Sequence, residues 1–510
     1  MRIVVTLCVA VALLTAPGVA SAAPEGQMTW AVHVTIAPTW FDPAETAGIV
    51  TPFMLMYAMH DALLKPMPGN ALAPSLAESW SQSKDGLTYE FVVRKNAKFH
   101  DGSAVTADDV KFSFERYRGT AAGVLKAKVA RIEIVDPQRV RFVLKQPWAD
   151  FMTFYATPAT GANWIVPKKY VEKVGDEGFK KAPVGAGPFK FVRFTPGVEL
   201  VLEANEGYWR KAPSLKTLVF RVIPDESTRL AALKRGEVDV AYSITGALAE
   251  ELARTPGLTL APTHFTFTVW ITFLDQWDAK SPWHDKRVRL AANHAIDRQA
   301  INQAAYLGKS KLAFNFVPSG MQYFWTPKPY EYDPKKAKQL LAEAGYPNGF
   351  DAGDYTAEMI YGAAIGEPAN GYLQAVGIRT RLRLLERAAF FKEYGDKKLK
   401  NVVQSGSGAP GNAATRIEQY TVTGGRYTYG TYPEIDGLFS EQANESNPRV
   451  RQQLLHKIQQ LLHDRAMFAP MIEPAFLNGV GSKVAFHGLG AVPNFPYSSP
   501  YEDLKLKTTK

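Results

Sequence analysis

Residues 72–117 read LAPSLAESWSQSKDGLTYEFVVRKNAKFHDGSAVTADDVKFSFERY. Inside this stretch, LTYEFVVR (87–94) mixes β-branched and aromatic residues with interposed charge, the composition of a pleated strand. HDGS (100–103) then supplies an Asp-Gly turn, where glycine takes a positive φ cheaply. TADDVKFSFERY (106–117) opens as a helix. Thr106 is placed as N-cap, and Asp108 and Asp109 put negative charge at the positive end of the helix dipole. Val110, Phe112, Phe114 and Tyr117 offer the apolar side chains for packing. The crowd of acids around His100 raises the question of a metal site. Zinc needs several converging His, Cys or carboxylate ligands, and only His100 is a typical one, set in a turn. The stretch therefore reads as strand, turn and capped helix.

The rest of the chain is that of a globular protein long enough for about three domains. It has 510 residues, 46% hydrophobic and 21% charged. MRIVVTLCVAVALLTAPGVASAAPEG at the start carries a basic Arg2, an apolar run from Ile3 to Leu14 and ASA at 20–22. This is the pattern of a cleavable secretory signal, with cleavage expected after Ala22 and a periplasmic destination. The run is too short to span a bilayer comfortably. The only cysteine, Cys8, lies within it, so the mature chain has no disulfide, no thiolate nucleophile and no cysteine metal site. The formal net charge of +10 is spread along the chain. Its densest basic run, KEYGDKKLKN (392–401), also contains acids, which argues against a nucleic-acid surface.

Strand and helix patterns alternate. RIEIVDPQRVRFVLKQP (131–147) reads as two strands, and APVGAGPFKFVRFTPGVELVLEANEGYW (182–209) as a glycine-rich turn followed by two more. A strand at 217–223, a helix at 226–235 stopped by Gly236 and a further strand predict a right-handed parallel crossover. DKRVRLAANHAIDRQAINQAAY (285–306) reads as one helix. DPKKAKQLLAEAG (333–345) and NPRVRQQLLHKIQQLLHDR (447–465) each open on Asp-Pro or Asn-Pro, a capping residue followed by proline at the first helical position.

The 72–117 segment resembles the signature region of the family 5 extracellular solute-binding proteins, the dipeptide, oligopeptide and nickel receptors of ABC importers. VGAGPFKFVRFTPGVELVLEANEGYW, IPDESTRLAALKRGEVDV, DKRVRLAANHAIDRQAI and YDPKKAKQLLAEAGYP are similar to later family segments in the same order. The resemblance implies an α/β fold of the two-lobed periplasmic binding-protein type with three domains. The first would be discontinuous, at 23–65, 185–262 and 476–510; the second is inserted at 66–184, and the third fills 263–475 and forms the other lobe. It implies a monomeric, non-catalytic receptor without cofactor. Such a receptor closes on a peptide-like or small organic solute and delivers it to an inner-membrane ABC permease with its cytoplasmic ATPase. A metal-chelate receptor of the same fold and a secreted hydrolase are the alternatives. The latter is weakened by the absence of a G-x-S-x-G elbow, of H-E-x-x-H and of an evident carboxylate pair.

NVVQSGSGAPGNAATRIEQY (401–420) holds Gly406, Gly408 and Gly411 at dinucleotide-fingerprint spacing, but Pro410 stiffens the turn and the segment lies deep in the third domain. Peptide receptors of the family carry a Trp- and Asp-containing loop here, whose carboxylate holds the ligand's α-amino group. GSGAPGNAATR (406–416) lacks that acid, so the resemblance does not extend to ordinary peptide anchoring. Asn412, Thr415 and Arg416 suit amide, hydroxyl or anionic groups instead, with a surface pairing of Arg416 and Glu418 as the other reading. In the inserted domain, the loop 157–167 is expected at the cleft with Asn163 and Trp164, or with Trp164 in the core. Trp40, in APTWFDP, and Trp270, just past the crossing between lobes, are expected to offer flat apolar faces to the ligand.

Overall fold

The computed structural model describes residues 23–45, 51–119, 121–156, 160–359, 362–408, 411–493 and 495–508. The expected secretory signal at 1–22 lies outside the described residues, as do residues 157–159 of the expected cleft loop. Among the described residues no helix is long and apolar enough to cross a membrane.

Three sheets organise the chain. A four-stranded antiparallel sheet runs Ala77–Gln82, Thr88–Val93, Arg139–Leu144, Val129–Asp136. Tyr89, Phe91 and Val93 point inward at period two and pack with Val110 and Phe114 of the helix Ala107–Arg116. Thr106 is the N-cap of this helix, as expected, with Asp108 and Asp109 in its first turn and a capping box closed by Asp109. The Asp109 carboxylate reaches back to accept from the Thr106 N–H at 2.9 Å and hydroxyl at 2.7 Å, and from the Lys168 N–H at 2.9 Å. His100 is structural. Its Nε2 donates to Gly187 O at 3.0 Å while Nδ1 accepts from the Gly185 N–H at 3.2 Å. It thereby ties the HDGS turn to the G-x-G-P turn. Burial holds its imidazole neutral, pushed down to about 3. Gly185 and Gly187 are required by space: a Cβ on either would fall 2.0 to 2.5 Å from the Met59 carbonyl group.

A seven-stranded sheet has the order Phe189–Thr195, Glu199–Ala204, Thr217–Val222, Gln27–Val32, Val240–Ala241, Ala475–Val480, Thr259–His264. Gln27–Val32 is parallel to both Thr217–Val222 and Val240–Ala241, which gives the crossover read from 217–241 its parallel sense. Asp61 is locked at the base of this region. Fully buried, it pairs with Lys65 at 2.9 Å and accepts from the Tyr208 hydroxyl at 2.9 Å and the Trp209 indole at 2.8 Å. The Tyr-Trp pair that ends 182–209 is thus a clamp on one carboxylate.

A six-stranded sheet follows, Lys311–Leu312, Phe468–Glu473, Phe267–Phe273, Val402–Gly408, Phe350–Glu358, Ile378–Leu385. The expected single helix at 285–306 is broken into Lys286–Ala295 and Arg298–Tyr306. Ile296 is extended, and Asp297 caps the second helix by accepting from the Ala300 N–H at 2.8 Å. A local cap outweighs the continuous apolar period.

The two larger sheets share a ribbon. Thr259–His264 pairs antiparallel with Ala475–Val480 in one sheet, and their continuations, Phe267–Phe273 and Phe468–Glu473, pair antiparallel in the other. The chain crosses between lobes at 265–266 and, beside it, at Pro474. Glu473 is held at this crossing by the Ser319 N–H at 2.5 Å and hydroxyl at 2.7 Å.

Candidate functional site

A carboxylate of one lobe bridges to the other. Asp150 follows the four-stranded sheet, and its oxygens accept from Arg451 Nη1 at 2.7 Å and Nη2 at 2.6 Å on the other lobe. Asn412 Nδ2 adds a third bond to Asp150 at 2.7 Å. Arg451 is itself 3% exposed, its Nε bonded to Gln442 Oε1 at 2.9 Å, so the pair is a largely desolvated bidentate bridge. Sequence reading missed Asp150 and Arg451; they are 301 positions apart and neither sits in a recognisable motif.

Asn412 also caps the helix Ala413–Thr421, its side chain accepting from the Ala414 N–H at 3.0 Å. Gly411, at φ 101°, lets the lobes approach; a Cβ there would lie 2.7 Å from Thr415 and 3.3 Å from Thr153 of the opposite lobe. Thr415 is buried and turns its hydroxyl back to the Asn412 carbonyl at 2.8 Å.

Arg416 stands four residues after Asn412, on the same helix face. It is fully buried, with its guanidinium 4.7 Å from the Trp270 ring and 5.6 Å from the Tyr420 ring. Nη2 donates to Ser407 O at 2.5 Å, while Nε and Nη1 have no hydrogen-bond partner among the described residues. Burial pushes the guanidinium down to about 10. The surface pairing with Glu418 does not form: Glu418 is exposed, and the salt bridges of the described residues include none at Arg416. Thr268 faces Ser407 across the ladder and is buried, its hydroxyl without a partner among the described residues. These residues lie at the carboxyl ends of the parallel strands Phe350–Glu358 and Val402–Gly408, where open α/β sheets hold ligands.

The two expected flat faces are not assembled. Trp40 is half-buried against the core of the seven-stranded sheet. Trp270 belongs to the other lobe's core, its ring covered by Arg416 and met edge-on by Tyr420 at 5.0 Å. Trp164 is core: it forms a short strand with Ile165, paired to Asp61–Ala62, and packs on Tyr57 at 5.2 Å and Phe53 at 5.9 Å. Asn163 is equally buried, donating to Leu64 O at 2.6 Å. The glycine spacing at 406–411 is also accounted for, since Gly406 and Gly408 are ladder residues opposite Val269 and Phe267. Among the described residues no three metal-ligating side chains converge.

Comparison with known proteins matches this architecture. The model of bacterial extracellular solute-binding proteins, family 5 Middle, covers residues 71–427. The glutathione-binding protein GsiB of Salmonella choleraesuis is 27% identical over 448 residues, 84% of this chain and 86% of that protein. Heme-binding protein A of Haemophilus influenzae is 29% identical over 472 residues, 85% of each. Among solved structures, the periplasmic binding protein DppA of Helicobacter pylori in complex with the peptide STSA superposes with a TM-score of 0.71 at 26% identity, covering 95% of this chain and 98% of that one.

Proposed function

This chain belongs to the bacterial extracellular solute-binding proteins of family 5, and we propose on that premise that it captures one small organic or peptide-like solute by hinge closure in the periplasm. It then hands the solute, chemically unchanged, to an inner-membrane ABC permease. The relatives named for glutathione, haem and a bound tetrapeptide share the scaffold while differing in cargo, so the scaffold carries the transport role and the cleft the choice of solute. The working unit is a monomer of three domains: 23–65 with 185–262 and 476–510, an insertion at 66–184, and 263–475.

One observation carries the closure. Two lobes with separate sheets, joined by adjacent strand crossings, are also bridged away from that ribbon by Asp150, Arg451 and Asn412. A bridge of this kind forms only when the lobes come together, and hinge closure is the motion the ribbon allows. Small-angle scattering of the purified protein with a panel of peptides, glutathione and haem tests the reading. A solute that raises the melting temperature should also reduce the radius of gyration and be recovered intact by mass spectrometry. Stabilisation with an unchanged radius, or recovery of cleaved solute, overturns it.

A further inference from the structure

We propose that Arg416 is the anchor for a carboxylate of the transported solute, which makes this a receptor for organic acids or acid-ended peptides rather than for solutes held by a free amino group. The proposal rests on the receptor reading above and specifies its ligand class.

The contrast with the other buried arginines carries it. Arg229 spends Nε and both terminal nitrogens on the carbonyls of Tyr242, Ile223, Pro224 and Ser243, at 2.6 to 2.8 Å. Arg289 does the same with the carbonyls of Ala466, Trp283, His284 and Arg465, at 2.6 to 3.2 Å. Arg451 has the carboxylate of Asp150. Arg416 alone of these four has one carbonyl and two unpartnered nitrogens. A buried guanidinium left with open donors is costly unless a partner arrives. The aromatic faces of Trp270 and Tyr420 stabilise its charge and hold its plane, but they accept none of its N–H bonds.

Place supports chemistry. Arg416 shares a helix face with Asn412, which touches the opposite lobe, and lies at the carboxyl ends of the strands. The nearby Thr268 hydroxyl is a second unpartnered polar group on the same sheet face as Trp270. A planar carboxylate matches a planar guanidinium through charge-assisted bonds. The 406–416 segment contributes no carboxylate to hold an ammonium group.

The test uses the full mature chain and solute pairs that differ only in the acid: N-acetyl-dipeptides with their C-terminal amides, glutathione with its diamide, and acetate with acetamide. Thermal shift and calorimetry are read for the wild type, Arg416→Met and Arg416→Lys. At least one acid should stabilise the wild type, with its amide at least about 30-fold weaker. Arg416→Met should lose that difference, and Arg416→Lys should keep part of it. Solute-free Arg416→Met should melt no lower than the wild type. Three results overturn the proposal: no acid preferred over its amide, a preference that survives in Arg416→Met, or a solute-free variant that melts far below the wild type. If neutral solutes stabilise and compact the wild type, the receptor reading stands while the carboxylate anchor falls.

Discussion

Arg298 and Arg416 are both buried, both lie on an aromatic ring, and burial pushes both down to about 10. They differ in what surrounds the fork. Arg298 donates to Pro470 O at 2.6 Å, to Asn293 O at 2.9 Å and to Asn293 Oδ1 at 3.0 Å, so its desolvation is offset within the lobe. Arg416 has Ser407 O and otherwise open donors. The first arginine therefore holds its lobe together, knitting the helix Arg298–Tyr306 to the strand Phe468–Glu473. The second lacks such a set of acceptors among the described residues, and in our proposal the solute supplies them. Equal burial and an equal shift do not mean an equal role; the hydrogen-bond inventory separates them.

The comparison breaks most readily at Arg298. Arg298→Met should cost about 3–5 kcal/mol in urea or thermal unfolding, because it orphans the carbonyls that the fork satisfied. A loss within about 1 kcal/mol would erase the distinction. Next comes the inter-lobe bridge. Asp150→Ala removes three bonds and leaves Arg451 buried and unpaired, so it should weaken solute binding by about 3 kcal/mol and enlarge the solute-bound radius of gyration. Adding Arg451→Met should recover part of the loss, since it removes the stranded charge. An Asp150→Ala variant that binds and compacts normally would show the bridge to be incidental.

A third handling of burial, staying neutral, predicts a pH effect. Burial lowers His60 to about 4 and His100 to about 3, from 6.5. Both are neutral in the fold, whereas the unfolded chain takes up their protons as pH falls. The stability that depends on their neutrality is complete above pH 6.5 and is lost progressively as pH drops toward about 3 to 4. At pH 5 this should be about 2 kcal/mol per histidine. His100→Gln should flatten the slope of stability between pH 7 and 5, and an unchanged slope would remove His100 from this class. The smallest effect is expected at Arg416 itself. Arg416→Met should change solute-free stability by less than about 1 kcal/mol, and in the direction of gain, because an uncompensated charge is replaced by an apolar side chain of similar length.

Much of this fold was legible because its markers are local. The alternation in 88–93, the turn at Asp101 and Gly102 and the Asp333 and Asn447 caps act within a few residues of themselves. The single helix expected at 285–306 failed where two local signals compete, and the cap at Asp297 won over the apolar period. The site was legible in part. The lack of an acid in 406–416 and the presence of Arg416 could be read directly, whereas its company could not. Asp150 and Arg451 meet only through tertiary closure, and Asp61 meets Tyr208 from 147 positions away. Tryptophan was the poorest guide. Trp164 and Trp270 are large enough to be worth burying for packing alone, and nothing in their neighbouring residues says which side of the sheet they face.

The shared ribbon also sets an order of assembly. Among the described residues, Thr259–His264 is joined to the seven-stranded sheet only through Ala475–Val480, which lies between it and Val240–Ala241. A chain emerging from its amino end would complete the whole of 267–473 while the sheet still lacked this strand. The first lobe is thus finished last, and its closing step joins residues more than two hundred positions apart. Until then the lobe has an unfilled slot one strand wide, and two sheet edges stay open to any extended segment that arrives first.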